Sequence, residues 1–581
     1  MTGFRTLTDF LADLEARGDL RRVTREVDWA CEVTEIAGRE AKAEGPAILF
    51  ENVRGAAFPL AVNVLAARRR IEWALGRAPA AIGAELEEIL HAMPPREIRD
   101  LAKLRGSVPR LLAIRPRLVR RAPSQERSPG ASLAPLPILQ LWPGDGGRFL
   151  TFPLVLTEHP ETRTRNVGIY RMQVFDTQTT GMHWQIGKGG GFHYHAAEKL
   201  GRGLEVVVHV GADPATLLAA AAPLPEGVDE LAFAGFLRGR PTRLARARTL
   251  SVNVLADAEF VIEGLVPPGE RRVEGPFGDH FGHYSHAAPF PVFHVRAVTH
   301  RRHPVFQASF VGKPPQEDKF IGEAVQEILG GAIRLIHPEI VDLWAYYEAG
   351  FHNLLVVSVA NRFAREAKKT ALGLLGTAQL SLTKAIVLVD EDVNPRDRAA
   401  VFGAIARNFD PAEDLLLLPG VPLDTLDFTS YTMNLGSKMV LDAQSGGPPA
   451  TPPVSLPDPR AFAGEALAHR LVWGAMLVVQ TRGEGRALVG KLVRRPEYAA
   501  VRLVVAVSPD VPLEDDELLL WGIFTRFDCA RDLIPAASET RGAWLTCRGP
   551  LGVDATWKQG YPDPVENLPE VVARVNEWWG R

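Results

Sequence analysis

The side chains best suited to chemistry lie in two separated segments of the chain. The first, residues 166–171, reads Asn-Val-Gly-Ile-Tyr-Arg and carries an amide oxygen and a guanidinium on a strand-like stretch. The second, residues 274–280, reads Glu-Gly-Pro-Phe-Gly-Asp-His and contains two carboxylates around a turn. An arginine can clamp a carboxylate, and carboxyl groups can carry protons. Together the segments offer the groups needed to hold a carboxylate, release it as CO2 and return a proton.

The two acids of the second segment are Glu274 and Asp279, and the turn between them can bring them together. Close approach would push their pKa values apart and leave one able to donate a proton near neutrality. The alternative is a solvated hairpin loop with ordinary surface acids, which composition alone favours. Alternation places Arg171 on one strand face with Ile169 and Gln173, where it could also reach past apolar neighbours to water.

A third segment, residues 182–191, reads Met-His-Trp-Gln-Ile-Gly-Lys-Gly-Gly-Gly. Its glycines could let backbone amides approach a phosphate while Lys188 neutralises the charge. It matches neither a P-loop nor a dinucleotide fingerprint, and a flexible loop is the alternative. His193 and His195 follow at a spacing compatible with one strand face, but no third ligand nearby supports zinc. Glu230 looks like a surface acid from its local sequence.

Composition excludes several classes of protein. A chain of 581 residues with 46% hydrophobic and 23% charged residues is typical of a soluble protein of several domains. Its net charge of -3 gives no basic surface for nucleic acid. Three cysteines, Cys31, Cys529 and Cys547, argue against a disulfide framework or zinc site and favour a reducing, cytoplasmic location. The sequence contains neither a signal peptide pattern nor an apolar run long enough for a membrane span.

The pattern of apolar residues predicts a multi-domain α/β protein. Leu7, Phe10, Leu11 and Leu14 lie at helical spacing, and Gly18 suits the end of that helix. Residues 31–44 predict a helix and Ala47–Phe50 a buried strand. Repeated short apolar runs between about 135 and 312 predict a largely β domain, a barrel. The predicted domains are an N-terminal α/β domain (1–122), a β domain (123–312), a C-terminal α/β domain (313–445), and a Pro-rich linker with a further unit and tail (446–581).

The C-terminal part contains an internal repeat at an offset of 118 residues. The matched positions are Val387 with Val505, Asp392-Val393 with Asp510-Val511, Asp397 with Asp515, Ile405 with Ile523, Phe409-Asp410 with Phe527-Asp528, Ala412 with Ala530 and Asp414 with Asp532. One strand–loop–helix unit therefore occurs twice, and the simplest interpretation is a duplicated unit used for packing or assembly.

Taken in chain order, these segments resemble the UbiD family of reversible decarboxylases. The resemblance covers most of residues 1–445 and includes the N-terminal helix and the GPAILFENVRG stretch. The other matching stretches are NVGIYRMQV, HWQIGKGGG, HVGADPATLLAA, ELAFAGFLRG, EGPFGDHFGHY, GKPPQED, HPEIVD, DEDVNPRD and LGSKMVLDA. Several such motifs in the right order are far more specific than any one alone.

The resemblance implies a fold, cofactors and site residues. The β domain would be a split β-barrel that binds prenylated FMN with Mn2+ and often K+, and the C-terminal region would serve oligomerisation. Asn166 and Glu230 resemble metal ligands. Arg171, Glu274 and Asp279 match the catalytic network, with Asp279 as the proton donor. Residues resembling the cofactor-binding set are Ile169, Tyr170, Arg171, His183, Trp184, Gln185, Lys188, Gly189 and Lys438.

Two departures from the family pattern stand out. Some members have a metal-binding His where this chain has Gly187, so either Asn166 and Glu230 suffice with water and phosphate, or His193 or His195 compensates. Residues 446–550 form an insertion that carries the second repeat, after which residues 552–558 resume a family-like tail.

The resemblance also implies a substrate and partners. The substrate would be an aromatic acid, and the wording of the glycine segment favours 1,4-dihydroxy-6-naphthoate of menaquinone synthesis. The alternatives are 3-polyprenyl-4-hydroxybenzoate of ubiquinone synthesis, or a non-catalytic flavin-binding or assembly protein. The expected partners are a flavin prenyltransferase that supplies the cofactor and further copies in a dimer or hexamer, with peripheral membrane contact at most.

Overall fold

The computed structural model describes residues 3–93, 104–185, 189–225, 227–446 and 449–580. The chain divides into two compact units. Unit 1 contains Met1–Gly331 and Asp563–Arg581, and unit 2 contains Ala332–Pro562. Among the described residues, no helix combines the length and apolar character that crossing a bilayer requires.

The N-terminal part of unit 1 alternates helices with short strands, as the apolar pattern predicts. Thr6 caps the first helix by accepting a hydrogen bond from the Asp9 N–H at 2.9 Å, and Gly18, just past its end, has φ 72°. Its four predicted apolar residues are buried, and the predicted strand Ala47–Phe50 is confirmed. The elements are α1 (Leu7–Ala16), β1 (Leu20–Val23), α2 (Glu32–Lys42), β2 (Ala47–Phe50), β3 (Leu60–Val62), α3 (Arg68–Leu75), α4 (Pro79–His91) and α5 (Val108–Ala113).

The rest of unit 1 is rich in strands, as the short apolar runs predict. Its elements are β4 (Arg117–Leu118), β5 (Arg127–Gly130), β6 (Phe149–Leu150), β7 (Leu154–Glu158), β8 (Arg165–Ile169), β9 (Met172–Gln173), β10 (Thr179–Gly181), α6 (Gly189–Lys199), β11 (Leu204–Val210), α7 (Pro214–Ala221), α8 (Glu230–Arg238), β12 (Arg243–Arg246), β13 (Asn253–Leu255), β14 (Phe260–Val266), β15 (Arg271–Glu274), β16 (Ala288–His300), β17 (Phe306–Gln307) and α9 (Glu317–Ile336), which continues into unit 2.

An eight-stranded sheet is the main feature of this region. It runs β10-β16-β14-β11-β7-β8, with β15 and β5 also pairing with β16. Among the described residues no pairing joins β8 to β10, so the sheet is not a closed barrel. A split form of barrel stays a prediction. The smaller sheets of unit 1 are β1-β2-β3-β17, β13-β12-β4 and β6-β9.

Unit 2 contains two five-stranded sheets. The elements of its first half, residues 340–442, are β18 (Ile340–Ala345), β19 (Leu355–Val359), α10 (Glu366–Leu374), β20 (Ala385–Asp390), α11 (Arg398–Asn408), β21 (Leu415–Pro422) and β22 (Leu435–Asp442). The elements of its second half, residues 466–555, are β23 (Ala466–Val472), β24 (Met476–Thr481), α12 (Gly485–Leu492), β25 (Leu503–Val507), α13 (Asp516–Phe524), β26 (Leu533–Arg541) and β27 (Trp544–Ala555).

The two sheets of unit 2 have the same topology. Their strand orders are β18-β19-β20-β22-β21 and β23-β24-β25-β27-β26. In each sheet the two outer pairs are antiparallel and the two inner pairs are parallel. After the second half the chain returns to unit 1, where α14 (Pro569–Trp579) packs against α2.

Candidate active site

Arg171 lies between the two acids of the second segment. It occupies the break between β8 and β9, where its Nε donates to Glu274 Oε1 at 3.0 Å and its Nη1 donates to Asp279 Oδ2. A third donor, Nη2, reaches Ser285 Oγ at 3.0 Å, and the guanidinium lies 4.7 Å from the centre of the Phe277 ring. The turn thus brings both carboxylates to one buried cation.

The charge on Arg171 changes the expected proton balance. Burial alone would raise the pKa of Glu274, but Arg171 and His183 outweigh it and lower that pKa. Burial also opposes ionisation of Asp279, yet the hydrogen bond from His280 and the charge of Arg171 hold its pKa well below the ordinary range. The expectation that one acid would be protonated near neutrality is wrong for this arrangement, because an arginine separates the two carboxylates.

Histidine side chains contact both acids. His183 Nδ1 lies 3.1 Å from Glu274 Oε1, and burial lowers the pKa of this imidazole despite the nearby carboxylates. His280 Nδ1 lies 2.9 Å from Asp279 Oδ1. Three buried polar atoms here have no hydrogen-bond partner among the described residues: His183 Nε2, Trp184 Nε1 and Glu274 Oε2. Such atoms are costly unless a ligand or water satisfies them.

Asn166 and Glu230 form a second group of polar side chains. Asn166 Nδ2 donates to Glu230 Oε1 at 2.9 Å, and the Val167 N–H donates to Glu230 Oε2 at 3.0 Å. Tyr170 donates its hydroxyl hydrogen to Asn166 Oδ1 at 3.1 Å. Glu230 begins α8 and is buried, which raises its pKa to about 7. The surface position suggested by its local sequence is therefore wrong.

Glycines 189 and 190 pack tightly against this second group. A Cβ added at Gly189 would lie 2.6 Å from Asn166 Nδ2, and one at Gly190 would lie 2.6 Å from Trp184 Nε1. The Gly190 N–H also donates to the Tyr170 hydroxyl at 3.2 Å. These glycines begin helix α6, so close packing explains their small size. Lys188 and Gly187 lie outside the described residues.

The spacing of His193 and His195 is compatible with one face of a strand, but both residues lie in helix α6. His193 is buried, with Nδ1 2.9 Å from Thr157 Oγ1, and burial lowers its pKa to about 4. His195 is exposed. In the part of the chain that the structure describes, no group of three His, Cys, Asp or Glu side chains could hold a metal ion.

Three further predicted residues are described by their own surroundings. Ile169 ends β8 and packs against two apolar clusters, and Gln185 is the last described residue before the gap at 186–188. Lys438 belongs to β22 of unit 2, where its Nζ donates to the carbonyls of Ser381 and Thr383 at 2.9 and 2.7 Å. Burial lowers the pKa of this lysine to about 8.

Two side chains that sequence reasoning did not select fix the turn between Glu274 and Asp279. Asp145 accepts hydrogen bonds from the N–H groups of Leu141, Trp142 and Gly278 at 3.0, 2.9 and 2.7 Å. Gln173 accepts from the Gly275 N–H at 2.8 Å and donates to the Gly146 carbonyl at 2.6 Å. The strand alternation that placed Gln173 beside Arg171 was a usable signal, whereas Asp145 offered only a loop sequence.

The C-terminal tail also supports this turn. The Val565 N–H donates to the Gly282 carbonyl at 2.9 Å, and the Tyr284 N–H donates to the Asp563 carbonyl at 3.1 Å. A Cβ added at Gly278 would lie 2.2 Å from the Trp142 ring and 2.7 Å from Val565. The acid-bearing turn is thus enclosed on several sides by fixed backbone.

Comparison with known proteins identifies the family. Three models of 3-octaprenyl-4-hydroxybenzoate carboxy-lyase match the chain: the N-terminal domain at residues 11–90, the Rift-related domain at 117–314 and the C-terminal domain at 319–443. The chain belongs to the UbiD family. The members of this family are carboxy-lyases, and the second half of unit 2 lies beyond the three matched ranges.

Curated relatives support the same assignment, some over about three quarters of this chain and others over nearly all of it. An uncharacterised protein of Archaeoglobus fulgidus is 44% identical over 76% of this chain and 92% of its own. A Chlamydia pneumoniae protein, named as one of the subunits of 4-hydroxybenzoate decarboxylase, is 36% identical over 94% of this chain and 93% of its own. An uncharacterised protein of Chlamydia muridarum is 35% identical over the whole of both chains.

Solved structures of UbiD-class enzymes have the same fold. Vanillic acid decarboxylase of Sedimentibacter hydroxybenzoicus in its closed form is 25% identical, covers 79% of this chain and 97% of its own, and gives a TM-score of 0.68. HmfF of Pelotomaculum thermopropionicum in complex with FMN is 30% identical. The match covers 78% of this chain and 96% of the HmfF chain, with a TM-score of 0.64. A dimeric evolved HmfF was solved with prenylated FMN.

Proposed function

We propose that this protein removes the carboxylate of an aromatic acid as CO2, without net oxidation, using prenylated FMN. The observation that carries the proposal is the buried Arg171 held between Glu274 and Asp279. A guanidinium in this position can bind a substrate carboxylate, and a carboxyl group beside it can return a proton to the same carbon. A site that had lost its activity would have no physical need for all three groups.

Arg171 orients the substrate in this proposal. Its Nε bond to Glu274 fixes the guanidinium plane, while Nη1 and Nη2 are the donors that can turn from Asp279 and Ser285 to a substrate carboxylate. The Glu274–His183 contact holds Glu274 in place from its other side. The buried surroundings strengthen each of these charge-assisted bonds.

Asp279 moves the proton. While it is paired with Arg171 the carboxylate is ionised, and its low pKa makes it a poor acid. When Arg171 turns to the substrate carboxylate, the hydrogen bond from His280 remains but the attraction of the guanidinium for ionised Asp279 weakens, so the opposing effect of burial shifts the pKa of Asp279 upwards. Substrate binding and proton uptake at Asp279 are therefore coupled, and the proton taken up replaces the departing CO2 on the ring carbon.

The residues around Arg171 fit a flavin cofactor. His183 Nε2, Trp184 Nε1 and Glu274 Oε2, which have no hydrogen-bond partner among the described residues, are the kind of buried polar atoms that a bound polar ring satisfies. Prenylated FMN, when bound, supplies the electron sink for the carbon that loses CO2. The proposal includes the cofactor-binding residues that the family resemblance assigns, which are Ile169, Tyr170, Arg171, His183, Trp184, Gln185, Lys188, Gly189 and Lys438.

Asn166 and Glu230 are the proposed ligands of Mn2+. An amide oxygen and a carboxylate are hard oxygen donors that suit this ion. In the described part of the chain, the hydrogen bonds to the Glu230 carboxylate come from Asn166 and the Val167 amide and not from a cation, and a bound metal ion would supply a positive charge. The cofactor phosphate and water would supply further oxygen ligands, and K+ would be a second ion at the phosphate.

The proposed substrate is 1,4-dihydroxy-6-naphthoate of menaquinone synthesis, with 3-polyprenyl-4-hydroxybenzoate of ubiquinone synthesis as the alternative. A flavin prenyltransferase would supply the cofactor. We further propose that the protein is cytoplasmic, that it forms homo-oligomers, and that residues 123–312 are the flavin-binding domain in split-barrel form. The rival proposal, a flavin-binding or assembly protein without activity, lacks a reason for the Arg171 arrangement.

The test begins with protein co-expressed with a flavin prenyltransferase. Intact mass and absorbance identify the cofactor, and elemental analysis identifies the metal. CO2 release is then measured with 1,4-dihydroxy-6-naphthoate, 4-hydroxybenzoate and a short-chain 3-prenyl-4-hydroxybenzoate. Turnover of any of these supports the proposal. Loaded protein that releases no CO2 from a broad panel of aromatic acids supports the non-catalytic alternative.

A further inference from the structure

The two halves of unit 2 contain the same elements in the same order, and three of these pairs share one offset. Strands β20 and β25 begin at residues 385 and 503, helices α11 and α13 at 398 and 516, and strands β21 and β26 at 415 and 533. Each of these pairs is 118 residues apart. Since the strand orders and directions also agree, the two halves are two versions of one α/β unit.

Local hydrogen bonds are repeated in the same way. The Asp410 N–H donates to Asp414 Oδ2 at 3.1 Å, and at the same offset the Asp528 N–H donates to Asp532 Oδ2 at 2.8 Å. The carbonyls just before β20 and β25, those of Lys384 and Arg502, each accept an N–H at 2.9 Å, from Met439 and Leu551. The equivalence therefore holds at the level of individual atoms.

Each sheet uses its two faces differently. One face of each sheet has its own helix: α10 residues pack with Val357 and Leu388, and α12 residues pack with Val479 and Val504. The other faces of both sheets share a single apolar core. Its members from the first half include Val356, Val387, Phe402, Ile405 and Met439, and those from the second half include Met476, Val478, Val505, Leu520 and Ile523.

Polar contacts across this core are reciprocal. Lys384, immediately before β20, donates from Nζ to the carbonyl of Phe527, shortly after α13. Its counterpart Arg502, immediately before β25, donates from Nε to the carbonyl of Ala406, in the last turn of α11, at 3.1 Å. Equivalent residues of the two halves therefore each donate a hydrogen bond to a carbonyl of the other half.

A second reciprocal pair involves aromatic residues. Tyr347, between β18 and β19, donates its hydroxyl hydrogen to Glu517 of α13. Trp473, between β23 and β24, stacks on Phe402 of α11 with ring centres 4.7 Å apart. Contacts that recur with the partners exchanged are the mark of an isologous, two-fold interface.

We propose that unit 2 is an internal dimer, in which the second half covers the face of the first half that would otherwise require a second copy of this chain. The apolar inner face of a lone first half could not remain exposed to water. Any assembly of whole chains then uses a different surface. The two halves are not equivalent in chemistry, since the position in β27 that corresponds to Lys438 is Pro550, as Met439 and Leu551 hold equivalent register positions.

Covalent cross-linking distinguishes pairing within one chain from pairing between chains. Arg398 of α11 and Glu517 of α13 are both partly exposed and approach to 3.8 Å. The native cysteines Cys31, Cys529 and Cys547 are buried, so maleimides should react with introduced cysteines first. The full-length variant Arg398→Cys/Glu517→Cys, treated with a short bismaleimide, is compared with the two single variants on denaturing gels.

The proposal predicts a cross-linked product of single-chain mass that migrates faster than the untreated chain, in the double variant alone. A covalent product of two chains would overturn it, because the halves would then pair between subunits. A folded double variant without any cross-link would also overturn it. If this pair disturbs folding, Arg407→Cys/Arg502→Cys tests the other reciprocal contact, where Arg502 Nη2 reaches the Arg407 carbonyl at 3.4 Å.

Discussion

At the scale of single residues, Arg171 acts with His183 and His280 to set the charge state of the candidate active site. Its guanidinium contacts Glu274 and Asp279 directly and lowers the pKa of both. The residue types were predictable from the sequence, but the pKa values of the two acids were not. Those values depend on whether the carboxylates contact each other or contact a cation. Their catalytic roles stay predictions.

Replacing Arg171 by Lys should impair the enzyme while keeping a positive charge. A lysine cannot reach two carboxylates and Ser285 with fixed planar donors. We expect kcat/KM for CO2 release to fall by roughly tenfold to a hundredfold, the loss of a charged hydrogen bond or two. Arg272→Lys, at a half-exposed arginine, is the matched control and should stay near wild type. Equal activity in both variants would remove Arg171 from substrate binding.

Replacing Asp279 by Asn should abolish proton return and leave the cofactor in place. The amide keeps the size of the side chain but cannot carry the proton, so turnover should fall by about a hundredfold to ten thousandfold. Cofactor content is measured by absorbance and intact mass beside CO2 release. Near-normal turnover with full cofactor content would refute the donor role.

Replacing Asp145 by Asn tests a residue that holds the acid-bearing turn through the Gly278 N–H. Burial raises the pKa of Asp145 to about 7, although Gly278, Trp142 and Leu141 donate hydrogen bonds to it. For an acid with a raised folded pKa, stability is greatest below the unfolded pKa of about 4 and is lost as the pH rises towards 7. The free energy of unfolding of wild type, relative to the variant, should therefore decline over that range.

The decline should amount to about 1.4 kcal/mol for each unit by which the folded and unfolded pKa values differ. Urea unfolding of both proteins at several pH values measures it. Asp176→Asn is the control, because hydrogen bonds from Thr179 and Gln178 lower the pKa of that exposed acid, which makes the expected trend opposite or flat. A pH-independent difference for Asp145→Asn would contradict the raised pKa.

At the scale of elements, helix α6 positions the second polar group through its first turn. Gly189 lets the helix approach Asn166, and Gly190 lets it approach Trp184. The sequence suggested a flexible or phosphate-binding loop, and a strand for the two histidines that follow. Glycine-rich segments are ambiguous by pattern, and the packing of this helix against β7, β8 and β11 is not visible in its own sequence.

Replacing Gly189 by Ala should disturb Asn166 and reduce metal retention. Alanine normally favours a helix over glycine by up to about 1 kcal/mol, so a loss would come from the contact with Asn166. We expect less Mn2+ after dialysis, measured by elemental analysis, with little change in helix content. Gly106→Ala is the control, since an added Cβ there meets nothing within 4 Å. Unchanged Mn2+ content would separate Asn166 from the metal.

Elements with strong local signals were predictable, and long-range contacts were not. The apolar spacing in α1 and the run in β2 correctly predicted a helix and a buried strand. Asp145 was missed because its partner Gly278 lies 133 residues away, and no local pattern marks such a contact. The burial of Glu230 likewise follows from β8 packing beside α8, which its own sequence does not reveal.

At the scale of the whole molecule, the second half of unit 2 is the feature that the three matched family models do not cover. The repeat at an offset of 118 residues was visible in the sequence, but the arrangement of its two copies was not. The same strands could form one continuous sheet, with the copies side by side, or two sheets packed face to face. The shared core decides between them in favour of face-to-face packing.

Deleting residues 446–550 should change the association of the protein more than its chemistry. The deletion removes most of the cover from the inner face of the first half, including Met476 and Val505. We expect self-association, measured as an increased mass by light scattering, while the Arg171 site of unit 1 remains complete. An unchanged mass would count against an assembly role for this segment.

The Pro-rich segment between β22 and β23 gives the two halves of unit 2 a permanent connection. A tethered partner is present at an effective concentration that short linkers set in the millimolar range, whatever the amount of protein in the cell. Pairing of these two halves therefore does not depend on expression level and does not weaken on dilution, unlike pairing between separate chains. In an internal dimer each half also meets its partner within the same chain before it meets a related protein.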